Sequence, residues 1–562
     1  MSDASSGVDR LAARYWQAML EADPLQATAV GERGHDHRLP DISVSGMAAN
    51  IGRFEAIQAE AAQATPDPSD LEAALTLATL RQAVDATLAL LRADNHAYSV
   101  DATWGLQSQV LSVASYQPLR NADDGRAMVS RWAAIAPMLD QMAASVRRGL
   151  ADGRAPIRTS AQRVVDQLTE LLDAPDADGP LLAPLKAGAG PEWSADEWRS
   201  FAGELEEVVS ATVRPALSTF CRFVAYEVLP PARGDDRAGI GNLPGGLEVY
   251  RSLAKAHTTT EMGPEEIHAL GLREVERIDA ETAELGARLL GSGSLREVHE
   301  ALRGDPALHF ENADQIEAVA QGSLDRAQAA TPAWFGRLPA TPCEVARMLP
   351  HEEKHSTIAY YREPAADGSR PGRYHVNTWQ PQTRPRYEAE ALAFHEAVPG
   401  HHLQGAIAQE LTHLPTFRRH SYLTAYVEGW GLYAERLADE MGLYTGDVDR
   451  LGMLSFDSWR ACRLVVDTGL HAMGWSREQA IDYMTDHSSL ATNNIANEVD
   501  RYLGRPGQAL AYKIGQLEIV RLRGEAEARL GTAFDVRRFH DALLAHGALP
   551  LTTLAESIAA DL

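Results

Sequence analysis

The chain reads as a mostly α-helical protein of two lobes, residues 1–235 and 236–562, with one small antiparallel β-sheet just before a helix that carries the candidate chemistry. Three observations predict this. Apolar residues recur at three- and four-residue spacing through segments such as "LEAALTLATLRQAVDATLALL", the helical period. A stretch dense in Gly, Pro and Asp, "PPARGDDRAGIGNLPGG" from Pro230 to Gly246, marks the passage from one lobe to the next. Strand-type composition is confined to the region between Pro350 and Trp379.

At 562 residues and 45% hydrophobic content the chain can bury a large core. A net charge of −26 and a pI near 5.2 repel phosphate backbones, so nucleic acid is not an expected partner. Cys221, Cys343 and Cys462 are far apart and odd in number, which argues against a disulfide framework and a thiolate metal site. The first residues, "MSDASSGVDRLAARYWQAMLEADP", lack a basic segment followed by an apolar run, and no stretch of eighteen apolar residues follows. A cytoplasmic protein that does not engage a membrane is expected.

From Val8 to about Glu227 the helical period dominates. A loop from Asp173 to Pro191 interrupts it, and "SADE" from Ser194 to Glu197 has the spacing of a capping box that restarts a helix. Past the boundary loop, "GPEEIHALGLREVERIDAE" places Pro264 at a first helical position with acidic residues in the first turn. Then "HSTIAYY" and "GRYHVNTW", separated by the turn-like "DGSRPG", predict an antiparallel hairpin whose edge could hold an extended peptide.

The chemistry concentrates in "ALAFHEAVPGHHLQ", residues 391–404, on a helix predicted to start at Pro385. A hydrolytic zinc site needs three protein ligands and one open position. The HExxH motif gives two histidines on one helix face, with the glutamate as general base. Here His395 and Glu396 form the pair, but Pro399 occupies the place of the second histidine and His401 and His402 follow. On an ideal helix they lie about 120° and about 20° from His395, while the backbone of His402 is displaced by about 10 Å along the axis. Neither fits without distortion. Pro399 lacks an N–H and clashes with the carbonyl four residues back, so a kink or a two-residue bulge at Val398-Pro399 is expected.

A third ligand should be an acid on a neighbouring helix. In "SYLTAYVEGWGLYAERLADEMG" Glu428 is the candidate, and Glu435 is expected to support by hydrogen bonding. The flanking Gly429 and Gly431 are costly inside a helix and point to close approach of other elements.

"HEAVPGHHLQ", "EGWGLYAE", "VVDTGLH" and "RPGQALAYKIG" resemble a bacterial family catalogued as a domain of unknown function, itself similar to gluzincin zinc metallopeptidases. The resemblance covers roughly Gly241 to Leu562, with a weaker helical match before it. It implies a two-lobed metallopeptidase-like fold with a deep cleft, one zinc ion on His395, His401 and Glu428, and Glu396 as base. Tyr512 resembles the family tyrosine that donates to the developing oxyanion, an interaction worth about 3 kcal/mol of barrier. His471, four residues after Asp467, is a second candidate for that role. Arg463, Arg501 and Lys513 are candidates for binding a substrate carboxylate. The implied reaction is amide hydrolysis in short peptides, by a dipeptidase, carboxypeptidase or oligopeptidase. Two rival readings are a zinc hydrolase acting on a non-peptide amide of a specialised metabolite, and a noncatalytic helical interaction protein with a structural metal. Glu396 speaks against the latter, since a structural site has no use for an unligated acid there. The sequence leaves substrate identity and oligomeric state open.

Overall fold

The computed structural model describes residues 3–175, 179–348, 353, 357–364 and 370–562. The architecture is mostly helical with a small three-stranded mixed sheet. Near the N-terminus α1 (Asp3–Ala22), α2 (Val44–Gln63) and α3 (Leu71–Ala93) pack on one another. Asp70 caps α3 by accepting from the amide of Ala73. By length and composition α3 could cross a membrane. In the structure it packs against α1, α2 and the helix Gly246–Thr258.

Helices between Leu106 and Val228 form a second apolar cluster around Trp132, Phe201 and Phe220. The capping box at Ser194 forms as its spacing predicts. The loop expected from Asp173 to Pro191 is partly helical, with a 3-10 turn at Pro180–Leu182 and a short helix at Ala183–Ala187. Its residues 176–178 lie outside the described ones. Leu181 and Leu182 are buried there, and Trp132 Nε1 donates to the Leu181 carbonyl. Two adjacent leucines are too apolar to leave in a solvated loop.

The stretch Pro230–Gly246 is docked onto other elements. A Cβ at Gly239 would stand 1.7 Å from the Leu470 carbonyl oxygen, and one at Gly241 would stand 2.3 Å from that of His471. The apolar cluster of the second half also takes in Leu75, Ala93 and Tyr98 from the first. Beyond this stretch α4 (Pro264–Leu290) begins at Pro264 with Glu265 and Glu266 in its first turn, as read from sequence.

Strands β1 (Cys343–Arg347), β2 (Ala359–Arg362) and β3 (Gly372–Val376) are ordered β1-β3-β2. The predicted hairpin is β2 and β3, antiparallel with Tyr360 opposite His375. Residues 355–356 of its first segment and 367–369 of its turn lie outside the described ones. The expectation of a purely antiparallel sheet is corrected by β1, which pairs in parallel with β3. Only Cys343 of β1 is fully buried, so "CEVAR" lacks the alternation that betrays a strand.

The remaining helices build the site: α5 (Ala389–Glu396), α6 (His401–Glu410), α7 (Thr424–Glu440), α8 (Asp447–Ala472), α9 (Thr492–Gly504) and α10 (Ala511–Leu530). α4 packs along α8, and α7 along α10. The second pair approaches so closely that a Cβ at Gly429 would lie 2.6 Å from Gly515 Cα. Side chains there would force the helix axes apart.

Candidate functional site

A cleft of about 1840 Å³ runs into the molecule, lined from both halves of the chain. Thr28, Asp101, Trp104 and Arg163 come from the first half. His395, Glu396, His401, Glu428 and Tyr512 come from the second.

The helix carrying the first histidine does not start at Pro385, which bridges to His309; it starts at Ala389. Nor does it bulge through the proline. α5 stops at Glu396, the Val398-Pro399 peptide is cis, and a new helix starts at His401. Pro399 has no N–H to continue the first helix. Gly400 folds back so tightly that a Cβ there would lie 1.9 Å from the His395 carbonyl oxygen. Trp430 of α7 clamps the break, its Nε1 lying 3.0 Å from the Pro399 oxygen and 3.1 Å from that of Gly400.

This break brings three side chains together. Nε2 of His395 and Nε2 of His401 each lie 3.6 Å from Glu428 Oε2, with the two rings nearly perpendicular. One ligand-type atom from each residue falls within 4.8 Å of the others. His395 and Glu428 are buried, and His401 is nearly so. Glu435 accepts from His395 Nδ1 at 2.8 Å, the supporting contact expected of it, and so turns Nε2 toward Glu428. Gly431 makes room for the ring: a Cβ there would stand 2.7 Å from His395 Cε1. Nδ1 of His401 is buried and has no hydrogen-bond partner among the described residues.

Burial pushes His395 down, but hydrogen bonds to Glu428 and Glu435 outweigh it and raise the imidazole to about 9. Burial likewise pushes Glu428 up, and the two histidines hold it well below the usual carboxylate range.

His402 is excluded from this group by its own partners. Its Nε2 donates to the Thr341 carbonyl at 3.1 Å, which leaves Nδ1 to accept from the Tyr361 hydroxyl at 2.9 Å. It fastens α6 to the sheet.

Glu396 is half-buried and lines the cleft. Tyr512 also lines it, with the Arg463 guanidinium 4.3 Å from its ring centre. Arg463 and Arg501 line the cleft too, and both bond to Glu498.

His471 and Lys513 are not among the lining residues, and each candidacy is corrected by its surroundings. The Ile240 amide donates to His471 Nδ1, so Nε2 donates to the Tyr502 carbonyl and the ring is held neutral. Burial pushes it down to about 3. Asp467 does not orient it, since that carboxylate accepts from the Tyr250 hydroxyl and the Gly507 amide. Lys513, fully buried, donates to Asp457 and Gln516 at 2.7 Å each.

The site also contains residues that sequence reasoning missed. The Tyr422 hydroxyl donates to Glu428 Oε1 from the loop before α7. Arg460 packs over Trp459, 4.2 Å from its ring centre, one turn before Arg463. The "WRACR" spacing, with arginines three apart beside a tryptophan, could have signalled the last two.

Fold and site together define a mostly helical protein with a two-histidine, one-carboxylate cluster at the wall of a large cleft. The chain belongs to the family described as "Bacterial protein of unknown function (DUF885)", whose model matches residues 24–558. Among solved structures it is similar to "the putative lipoprotein from Colwellia psychrerythraea" at 26% identity and a TM-score of 0.91, covering 100% of this chain and 99% of that one. It also shares its fold with "a putative lipoprotein of unknown function from Shewanella oneidensis" at 18% identity and a TM-score of 0.72, covering 100% of both chains. No curated protein matches the sequence.

Proposed function

We propose that this protein is a zinc-dependent hydrolase that cleaves amide bonds in short peptides. The observation that carries the reading is the convergence of His395, His401 and Glu428 across a broken helix, with Glu396 beside them and in the cleft. Two imidazoles and one carboxylate are a ligand set suited to a catalytic zinc. The Glu435 support of His395 fits that role.

A zinc ion held there supplies Lewis-acid polarisation of the scissile carbonyl. Glu396, unclaimed by the cluster, takes the proton of the attacking water and returns it to the leaving amine. Tyr512 donates a hydrogen bond to the oxygen on which charge develops. The edge strand β2 presents Tyr360 and Tyr361 to the cleft, where an extended peptide can add to the sheet. We read residues 1–235 and 236–562 as two lobes with the cleft between them, a metallopeptidase-like arrangement supported by the lining from both halves.

A cytoplasmic location is our reading from three unpaired cysteines. The description as lipoproteins belongs to the two similar structures, and the rival reading for this chain is a lipid-anchored one. Cell fractionation distinguishes the two.

The test of function is a mixed peptide library incubated with wild-type protein and with Glu396→Gln, the products being read by mass spectrometry. The wild type should cleave short peptides in a chelator-sensitive manner. The variant should bind zinc equally and lose roughly 10²- to 10⁴-fold in rate. Absence of bound zinc after expression in zinc-replete medium, or near-normal turnover by the variant, would overturn the reading.

A further inference from the structure

We propose that Arg501 and Arg463 form a carboxylate pocket in the cleft that takes the free C-terminal carboxylate of the substrate, which makes the protein a peptidase acting from the C-terminus. The proposal rests on the hydrolase reading for its consequence and on the following geometry for its substance.

Both arginines line the cleft together with the histidine cluster and Tyr512. Their placement is fixed from behind by one carboxylate. Glu498 Oε2 accepts from Arg463 Nη2 at 3.0 Å, from Arg501 Nη2 at 2.9 Å and from the Tyr502 hydroxyl at 3.0 Å. Two guanidiniums thus share one negative charge, and a positive charge is left over. The nearby Asp500 does not cancel it, because it pairs with Arg477 and Arg163. Glu498 is firmly ionised: burial would raise it, but Arg501 and Arg463 hold it down to about 2.

Arg463 is only 2% exposed, lies between the rings of Trp459 and Tyr512, and has a buried Nη1 with no hydrogen-bond partner among the described residues. A buried guanidinium N–H left unsatisfied is costly and is a place where a ligand oxygen gains most. Arg501 stands nearer the opening, its side chain 20% exposed, and commits only Nε and Nη2 to Glu498. A planar carboxylate is the anion that such a fork matches in two-pronged fashion. Arg463 stacks on Tyr512, so an anion seated here is one residue's reach from the group assigned to the reacting carbonyl. In a peptide, the carboxylate that lies at a fixed short distance from a scissile bond, whatever the side chains, is the terminal one.

The test uses full-length Glu396→Gln protein, so that binding is read apart from turnover, and three probes measured by calorimetry: trialanine with a free carboxylate, its C-terminal amide, and an amide-ended peptide with glutamate last. The free acid should bind at least ~10-fold tighter than its amide, as loss of a buried charge partner implies. Adding Arg501→Gln should bring the two within about 2-fold, whereas Arg501→Lys should keep part of the preference. Equal binding of acid and amide overturns the proposal, as does a glutamate-ended amide binding as tightly as the free acid. Unaltered preference in the Arg501→Gln variant overturns it too. The hydrolase reading fails separately, through lack of zinc or lack of cleavage by the wild type, while these binding ratios stand.

Discussion

His395 Nδ1 lies 2.8 Å from Glu435 Oε1, while its Nε2 faces Glu428 seven residues earlier on the same helix. Two carboxylates of α7 therefore bracket one imidazole. Seven residues return to nearly the same helix face about 10 Å along the axis, which lets one helix hold both edges of the ring. The second histidine is then placed by the break at Val398-Pro399 and not by helical periodicity.

The first prediction separates the adjacent histidines. His401→Ala should lose zinc affinity by orders of magnitude, because one of three ligands is gone. His402→Ala should keep zinc and instead loosen the sheet, since Tyr361 and Thr341 lose their partner. Zinc titration of the two purified variants checks this, and the reverse pattern would remove His401 from the ligand set.

Tyr512→Phe should lower kcat by roughly 10²-fold while KM changes little, since the hydrogen bond is made mainly in the transition state. Steady-state kinetics on the best library peptide decides it. A raised KM with unchanged kcat would make Tyr512 a residue for binding alone.

Lys513→Met should destabilise the fold by about 1–3 kcal/mol, because Asp457 loses one buried charged partner while Arg436 still donates to it. The melting temperature should fall while KM of the remaining folded enzyme holds. A KM effect at unchanged stability would restore Lys513 as a substrate ligand.

A pH dependence follows from His546, whose ring sits 2.7 Å from Glu72 and 3.1 Å from Asp561. Glu72 raises this histidine above its ordinary 6.5 despite burial. Burial would raise Glu72 itself, but His546 and Arg418 draw it below its ordinary 4.5. The histidine's contribution is complete below pH 6.5 and is lost as pH rises through its elevated value. The glutamate's is present above pH 4.5 and is lost on acidification. The cluster should therefore stabilise most between those two values, by about 1 kcal/mol. The melting-temperature gap between wild type and His546→Gln, compared at pH 5.5 and pH 9, should shrink at the higher pH.

Much of this was legible in sequence where local chemistry decides. Pro264, the Ser194 capping box and the hairpin strands act within a few residues. The pairing of His395 with Glu428, far apart in the chain, was legible too, because a mechanism demands that set of residue types. What failed depended on tertiary surroundings. His471 and Asp467 share a helix at the right spacing, yet the docked loop at Ile240 claims the ring and Tyr250 claims the acid. Lys513 follows Tyr512 immediately, and neighbours on a helix point about 100° apart, so one side chain enters the cleft while the other enters the core. β1 escaped notice because its partner lies far along the chain in parallel, and no turn announces it.

Gly431 faces the His395 ring, Gly400 folds under its carbonyl, and Gly372 lies against His402, where a Cβ would stand 2.4 Å from Nδ1. Glycine and alanine codons differ by a single base. At Gly431 a lineage carrying this gene is thus one point mutation, and one methyl group, from pressing on the His395 ring. Gly431→Ala is the form such a change would take. Under the proposed function, that one methyl would disarm the cluster and leave the scaffold in place.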